Sequence, residues 1–219
     1  MSGSFVTPAF RDRIRELATP VATALGRLGL TPNALTVIGF LGTCVAAYAA
    51  AMQAWLLAGL LVLAFGTFDL LDGALARAQG KATRLGAFLD SVFDRAGEAV
   101  VYVGIVIGLV DAGWAGPPLW AAGALAASQL VPYARAKAEA IGVAPGNGIA
   151  NVGLAPREVR LVILTIGLVG AGLLGTAGIS ALPIGIVALE AALGLITILS
   201  AITVLQRIVH VRQQLGNEQ

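Results

Sequence analysis

Five carboxylates stand in stretches that are otherwise apolar: Asp69 and Asp72, then Asp90, Asp94 and Glu98. Asp69 and Asp72 are three apart, and Asp90, Asp94 and Glu98 follow at intervals of four, so each set shares one face of a helix. A short connection carrying Arg77, Lys81 and Arg84 lies between them. That predicts two antiparallel neighbouring helices whose acidic faces converge at similar depth. Carboxylates brought together repel unless something positive lies among them. An all-oxygen set suits the hard divalent cations Mg²⁺, Mn²⁺ or Ca²⁺, and two such ions about 3.5–4 Å apart clamp a phosphate or diphosphate. The competing arrangement is a set of loop salt bridges to Arg77, Arg84 and Arg95, but surface pairs need no helical alignment of the acids.

The elements that must hold these groups are apolar helices. Of the 219 residues, 58% are hydrophobic and 12% charged, with a mean hydropathy of +0.87. Soluble domains carry about 25% charged residues, so the composition excludes an ordinary soluble domain and also a disordered chain. The single cysteine excludes a disulfide framework and a cysteine-based metal centre. A helix crosses the hydrocarbon core with about 20 mostly apolar residues. Six stretches qualify, near 34–53, 55–76, 88–111, 118–141, 159–177 and 182–207.

All 14 basic residues fall at one end of these six spans, and the turns near 54, 111–118 and 175–183 contain neither Lys nor Arg. The positive-inside rule then places both termini in the cytoplasm, with the acidic cluster on the cytoplasmic side of a multi-pass cell-membrane protein. Before the first span, Phe10, Ile14, Leu17, Val21, Leu25 and Leu28 recur three or four apart with arginines between. This reads as an amphipathic juxtamembrane helix lying on the membrane surface or packing on the bundle, and not as a signal peptide. The expectation is an all-α, integral membrane, six-transmembrane-helix bundle: an N-terminal surface helix (1–30), one helical domain (31–212) and a short tail (213–219).

The segment Asp69-Leu-Leu-Asp72-Gly73-Ala-Leu-Ala76-Arg77, followed after eight residues by Gly86-Ala-Phe-Leu-Asp90-Ser-Val-Phe-Asp94, resembles the signature D-x2-D-G-x2-A-R-x8-G-x3-D-x3-D of the CDP-alcohol phosphatidyltransferases. Every fixed position matches, and length and span count agree along the whole chain. The resemblance implies transfer of a phosphatidyl group from CDP-diacylglycerol, or a related CDP-lipid, to an alcohol, with release of CMP. It implies that Asp69, Asp72, Asp90 and Asp94 hold two Mg²⁺ (or Mn²⁺) ions and that Asp94 is also the general base. Asp69, Gly73, Ala76, Arg77 and Gly86 would bind the CDP-lipid, the small residues leaving room for the nucleotide against the helix backbones. No Ser, Cys or His is placed as a covalent nucleophile, so direct attack by the acceptor is expected.

For the acceptor, Arg135, Lys137, Arg157, Arg160 and Arg207 gather at the cytoplasmic ends of spans 4, 5 and 6. Arg135, Lys137, Arg157 and Arg207 are expected to bind an acceptor phosphate, which favours a phosphorylated polyol over serine, choline or ethanolamine. Gly29-Leu30-Thr31-Pro32-Asn33-Ala34-Leu35-Thr36 and Tyr133-Ala134-Arg135-Ala136-Lys137 are similar to segments of family members that use inositol phosphate, with glycerol 3-phosphate as the alternative. The partners expected are these substrates, the bilayer and a second copy in a homodimer, with no nucleic acid. Two other classes compete. Membrane prenyltransferases also hold Mg²⁺ on aspartate-rich helices, but on two separated helix pairs. A divalent-cation transporter needs a polar path through the membrane, and Glu190, expected near the middle of span 6, is the one residue that speaks for it. Cys44 and His210 are expected to be packing and interfacial residues, and Trp55, Trp114 and Trp120 an outer aromatic belt.

Overall fold

The fold was described in a computed structural model over residues 19–80, 82–143, 152–176 and 184–216, the side chains of Asp69 and Thr176 lying outside the description. Among these residues all regular structure is helical. The helices are α1 (Pro32–Ala51), α2 (Trp55–Gly66), α3 (Phe68–Ala78), α4 (Arg84–Asp111), α5 (Pro117–Ala140), α6 (Arg157–Thr176) and α7 (Ile184–Gly216). A helical stretch over 19–27 precedes them. The expected surface helix is therefore described only in its last part. Its Ala22 is fully buried and Leu25 packs beside Leu35, Ala74 and Leu75, while Val21 and Leu28 are exposed.

Helix starts follow the local chemistry. Thr31 caps α1 by accepting from the Ala34 amide at 3.2 Å, with Pro32 in the first turn. Thr83 caps α4 by accepting from the Gly86 amide at 3.0 Å. The stretch expected as one span over 55–76 is instead two helices. At the break Thr67 Oγ1 donates back to the Ala64 carbonyl at 2.9 Å. Gly66 leaves the space into which Leu161 packs, since a Cβ there would stand 2.5 Å from Leu161 Cδ1. The break sets the aspartate-bearing α3 apart from the wholly apolar α2. At the other end α7 continues to Gly216, so the expected tail begins as helix.

Four stretches are apolar and long enough to cross a membrane: Pro32–Ala51, Trp55–Ala78, Arg157–Gly175 and Ile184–Gly216. Helices α4 and α5, of 28 and 24 residues, have the length but a more polar composition. The first fifteen residues of α4 hold Asp90, Asp94, Arg95 and Glu98, and α5 is diluted by Pro117, Pro118, Ser128, Gln129 and Pro132.

Each of these helices packs mainly on two others, in the closed order α1–α4–α5–α7–α6–α2 and back to α1. The seam between α1 and α4 is the closest: a Cβ on Gly104 would stand 2.2 Å from the Ala47 carbonyl oxygen, and one on Gly108 would stand 2.3 Å from that of Ala50. Small residues at these levels let the two backbones touch, as membrane helix pairs do. Inside the ring, Ile105, Leu109, Leu168, Leu189, Leu193 and Ile196 form the core, and Trp55 packs with them rather than in an outer belt. Large apolar side chains such as Leu41, Leu60, Ile107, Leu119, Ile166, Leu195 and Ile202 face outward. That distribution suits a solvent of lipid.

Candidate active site

The site lies where α1, α3, α4 and α6 meet at the end of the ring that holds the cations. Asp72, on α3, is 5% exposed and accepts a hydrogen bond from Thr36 Oγ1 of α1 at 2.6 Å. These two side chains form the wall between two clefts. The outer cleft is lined by Asn33, Gly73, Ala76, Arg77, Gly86 and Asp90. The inner one runs past Asp94, Glu98 and Arg157 to Arg160 and Tyr102. One glycine in each half of the signature serves the outer cleft. A Cβ on Gly73 would meet the Arg77 guanidinium at 3.4 Å, and a Cβ on Gly86 would meet Asn33 Oδ1 at 3.2 Å. A side chain at either position would crowd the groups that line the space.

In the inner cleft the acids of α4 face cations of α6 across the ring. Arg157 Nη2 lies 3.0 Å from Asp94 Oδ1, both side chains being partly exposed. One turn deeper, Arg160 makes a bidentate pair with Glu98, Nε and Nη2 each at 2.8 Å from a carboxylate oxygen. Its remaining nitrogen donates to the Ala155 carbonyl at 2.8 Å. Arg160 is 3% exposed, so its donors are spent within the protein. Asp94 and Glu98 of the acidic helix are thus both met by arginines of α6.

The expected phosphate-binding cations are not gathered in one place. Arg157 stands in the inner cleft with Asp94. Arg135 pairs with Glu139 one turn on, at 2.9 Å and half-exposed, and lines a separate groove between α4 and α5 with Phe88 and Arg95. Lys137 is exposed near the end of α5. Arg207 is 6% exposed and donates to the Val152 carbonyl at 3.1 Å and to the Val131 carbonyl. Glu190 sits in the second turn of α7, not midway along it, and its Oε1 is 3.3 Å from where a Cβ on Gly116 would stand. A carboxylate there faces the positive end of α5, which begins at Pro117.

Sequence reasoning passed over Thr36, Thr203 and the partnership of Glu98 with Arg160. Thr36 was within reach of it, five residues beyond the helix-capping Thr31 and thus in the second turn. The other two depend on contacts between distant helices.

The signature carboxylates suit a divalent metal by their donor chemistry. Asp72, Asp90 and Asp94 present hard oxygens to the two clefts that meet at Asp72. Among the described residues no three acidic, His or Cys side chains form a metal-sized group by themselves; the fourth signature carboxylate, Asp69, has its side chain outside the description.

The CDP-alcohol phosphatidyltransferase family matches residues 29–211, and the chain belongs to that family. It is 36% identical over 208 residues to an archaetidylinositol phosphate synthase of Pyrococcus horikoshii, covering 94% of this chain and 96% of that one. It is 39% identical over 209 residues to a phosphatidylinositol phosphate synthase of Cutibacterium acnes, covering 93% and 96%. The fold matches the crystal structure of Mycobacterium tuberculosis phosphatidylinositol phosphate synthase in complex with manganese and citrate, with a TM-score of 0.74 at 30% identity over 89% of this chain and 88% of that one. The same enzyme with CDP-DAG bound matches with a TM-score of 0.72 at 30% identity, covering 90% and 94%. The chain is a transferase of phosphate-containing groups.

Proposed function

We propose that this protein transfers a phosphatidyl-type group from a CDP-linked lipid to a hydroxyl of inositol phosphate and releases CMP. The observation that carries this reading is the division of the signature by Asp72. On one side the small residues Gly73, Ala76 and Gly86, with Arg77 beside them, line a space suited to a nucleotide diphosphate. On the other, Asp94 stands 3.0 Å from Arg157, so a carboxylate that accepts a proton is next to a cation that binds a phosphate. The names of the relatives support inositol phosphate as acceptor, and the archaeal relative leaves the lipid of the donor to experiment.

In this mechanism Arg77 binds the nucleotide end of the donor and Arg157 the phosphate of the acceptor. Asp94 takes the proton from the acceptor hydroxyl, whose oxygen attacks the phosphorus that carries the lipid. The new phosphorus–oxygen bond forms as the bridging bond of the diphosphate breaks, and CMP leaves. Asp69, Asp72, Asp90 and Asp94 would hold two divalent ions, Mg²⁺ or Mn²⁺, which when bound offset the charge of the diphosphate.

The membrane arrangement belongs to the same proposal. Six spans, with α2 and α3 together as the second, form one domain over 31–212 with both termini and the active site on the cytoplasmic side, and the segment over 1–30 lies on the membrane surface. A homodimer is compatible with this arrangement. The test is CMP release by the purified protein from CDP-diacylglycerol, with inositol phosphate, glycerol 3-phosphate, inositol and serine compared, each with Mg²⁺ and with EDTA. Release with inositol phosphate and Mg²⁺ alone is expected. Release with none of the alcohols would overturn the enzyme reading, and release with glycerol 3-phosphate instead would overturn the acceptor.

A further inference from the structure

The segment between α5 and α6 is held at its second half by more side chains than a connection needs. Thr203 of α7 is 1% exposed. Its Oγ1 accepts from two consecutive amides, those of Leu154 and Ala155, each at 3.0 Å, and donates to the Leu199 carbonyl at 2.8 Å. Arg207, one turn on, donates to the Val152 carbonyl at 3.1 Å. Arg160 donates to the Ala155 carbonyl at 2.8 Å. Gly153 has φ +128°, a conformation that L side chains rarely adopt, and a Cβ there would stand 2.2 Å from Thr203 Cγ2. Four backbone groups of residues 152–155 are thereby fixed by three side chains, and Arg157 begins α6 two residues later, opposite Asp94.

We propose that Thr203 is a positioning residue for the acceptor: by fixing the amides of Leu154 and Ala155 it sets the start of α6, and with it Arg157, at the distance from Asp94 that a phosphorylated alcohol requires. Thr203 touches neither cleft and acts only through this backbone. Its hydroxyl is suited to the task because both lone pairs are used by amides while its proton goes to the helix carbonyl, so one side chain ties α7 to two successive peptide groups. Arg160 and Arg207 support the same segment through the Ala155 and Val152 carbonyls. The donor side of the site is built from α1, α3 and α4, with no contribution from residues 152–155. Loss of the Thr203 hydroxyl should therefore act on one substrate and spare the other.

This inference rests on the proposed use of a phosphorylated acceptor, and the experiment separates the two. Initial rates of CMP release are measured for the full-length wild type with inositol phosphate, then for Thr203→Val, Thr203→Ser and Gly153→Ala. Absence of turnover in the wild type would overturn the proposed function and this inference with it. With an active wild type, Thr203→Val is expected to raise the acceptor KM about tenfold and leave the CDP-lipid KM within twofold. Thr203→Ser, which keeps the oxygen, should restore the acceptor KM to within threefold of wild type. Gly153→Ala keeps the inference falsifiable if Thr203→Val does not fold. It should raise the acceptor KM in the same selective way, and adding Thr203→Ser should relieve part of that rise, because serine lacks the Cγ2 against which the new methyl group would press. In an Arg157→Ala background Thr203→Val should have no further effect. An unchanged acceptor KM in both Thr203→Val and Gly153→Ala, a parallel rise in both KM values, or a full additional effect in the Arg157→Ala background would overturn the positioning role.

Discussion

The two walls of the inner cleft are built on different plans. The acidic wall comes from one hairpin, α3 and α4, and its residues are placed by helical periodicity alone: three apart on one helix, four apart on the next. The basic wall comes from the start of α6, and behind it Thr203 and Arg207 of α7 hold the connection that leads into α6. Its cations differ in what they do although they look alike in sequence. Arg157 meets Asp94 in the cleft, Arg160 is consumed by Glu98 and a carbonyl, and Arg207 is consumed by two carbonyls. Spacing can fix a residue's role when both partners share a helix or a hairpin, and it cannot when the partner arrives from elsewhere in the chain.

The largest test of this contrast is at its acidic centre. Asp94→Asn keeps the shape of the side chain and removes the base, so turnover should fall by about 10²–10⁴-fold with CDP-lipid binding retained in an equilibrium assay. Turnover near wild type would remove Asp94 from the chemistry. Next in size is the buried pair that joins the two walls. Arg160→Met leaves the Glu98 carboxylate buried without its partner, and breaking such a pair by removing one member costs about 3–5 kcal/mol. The fall should appear in thermal or denaturant unfolding of the detergent-solubilised protein, and pairing the change with Glu98→Leu should recover part of it. If Arg160→Met unfolds like wild type, the bidentate pair is not a structural link.

Arg157→Ala is expected to be milder and selective. Losing a charged hydrogen-bond donor removes about 1.5–3 kcal/mol, which is roughly a 10–150-fold rise in the acceptor KM at constant stability. A change confined to the CDP-lipid KM would place Arg157 on the wrong wall. Arg135→Ala should do least. Its pair with Glu139 is exposed and lies outside both clefts, and such pairs contribute about 0–1 kcal/mol, so rates and unfolding should both stay within a few-fold of wild type. A loss of acceptor binding as large as that of Arg157→Ala would return Arg135 to the site.

What was legible in the sequence follows the same division. The acidic hairpin, its small residues and the family signature were readable because all of them sit at fixed offsets within 26 residues, from Asp69 to Asp94. The helix boundaries, apart from the end of α7 nine residues past the expected 207, were readable to within a few residues because apolar runs end at Pro, Gly and capping Thr. The break at Thr67 was not, since Gly-Thr inside an apolar run is ordinary in membrane helices and only the packing of Leu161 against Gly66 shows why the helix stops. The jobs of the basic residues were hidden because the positive-inside bias puts Arg and Lys at these ends whatever they do. Glu190 misled for a related reason: the boundaries of span 6 left open how near its start the residue falls, and its place beside Gly116 depends on α5.

The order of the ring also bears on how the protein is made. Helices α1 to α5 leave the ribosome first, but α2, already against α1, meets its second neighbour in the ring only when α6 arrives. At about 5–20 residues per second, the 63 residues from Asp94 to Arg157 take roughly 3–13 s to synthesise. During that interval the nascent chain has its aspartates and no arginine to oppose Asp94. The last two helices to be translated close the ring and bring Arg157 to Asp94, so on the proposed reading a polypeptide that ended before α6 would keep the outer cleft and have nothing to bring an alcohol to it.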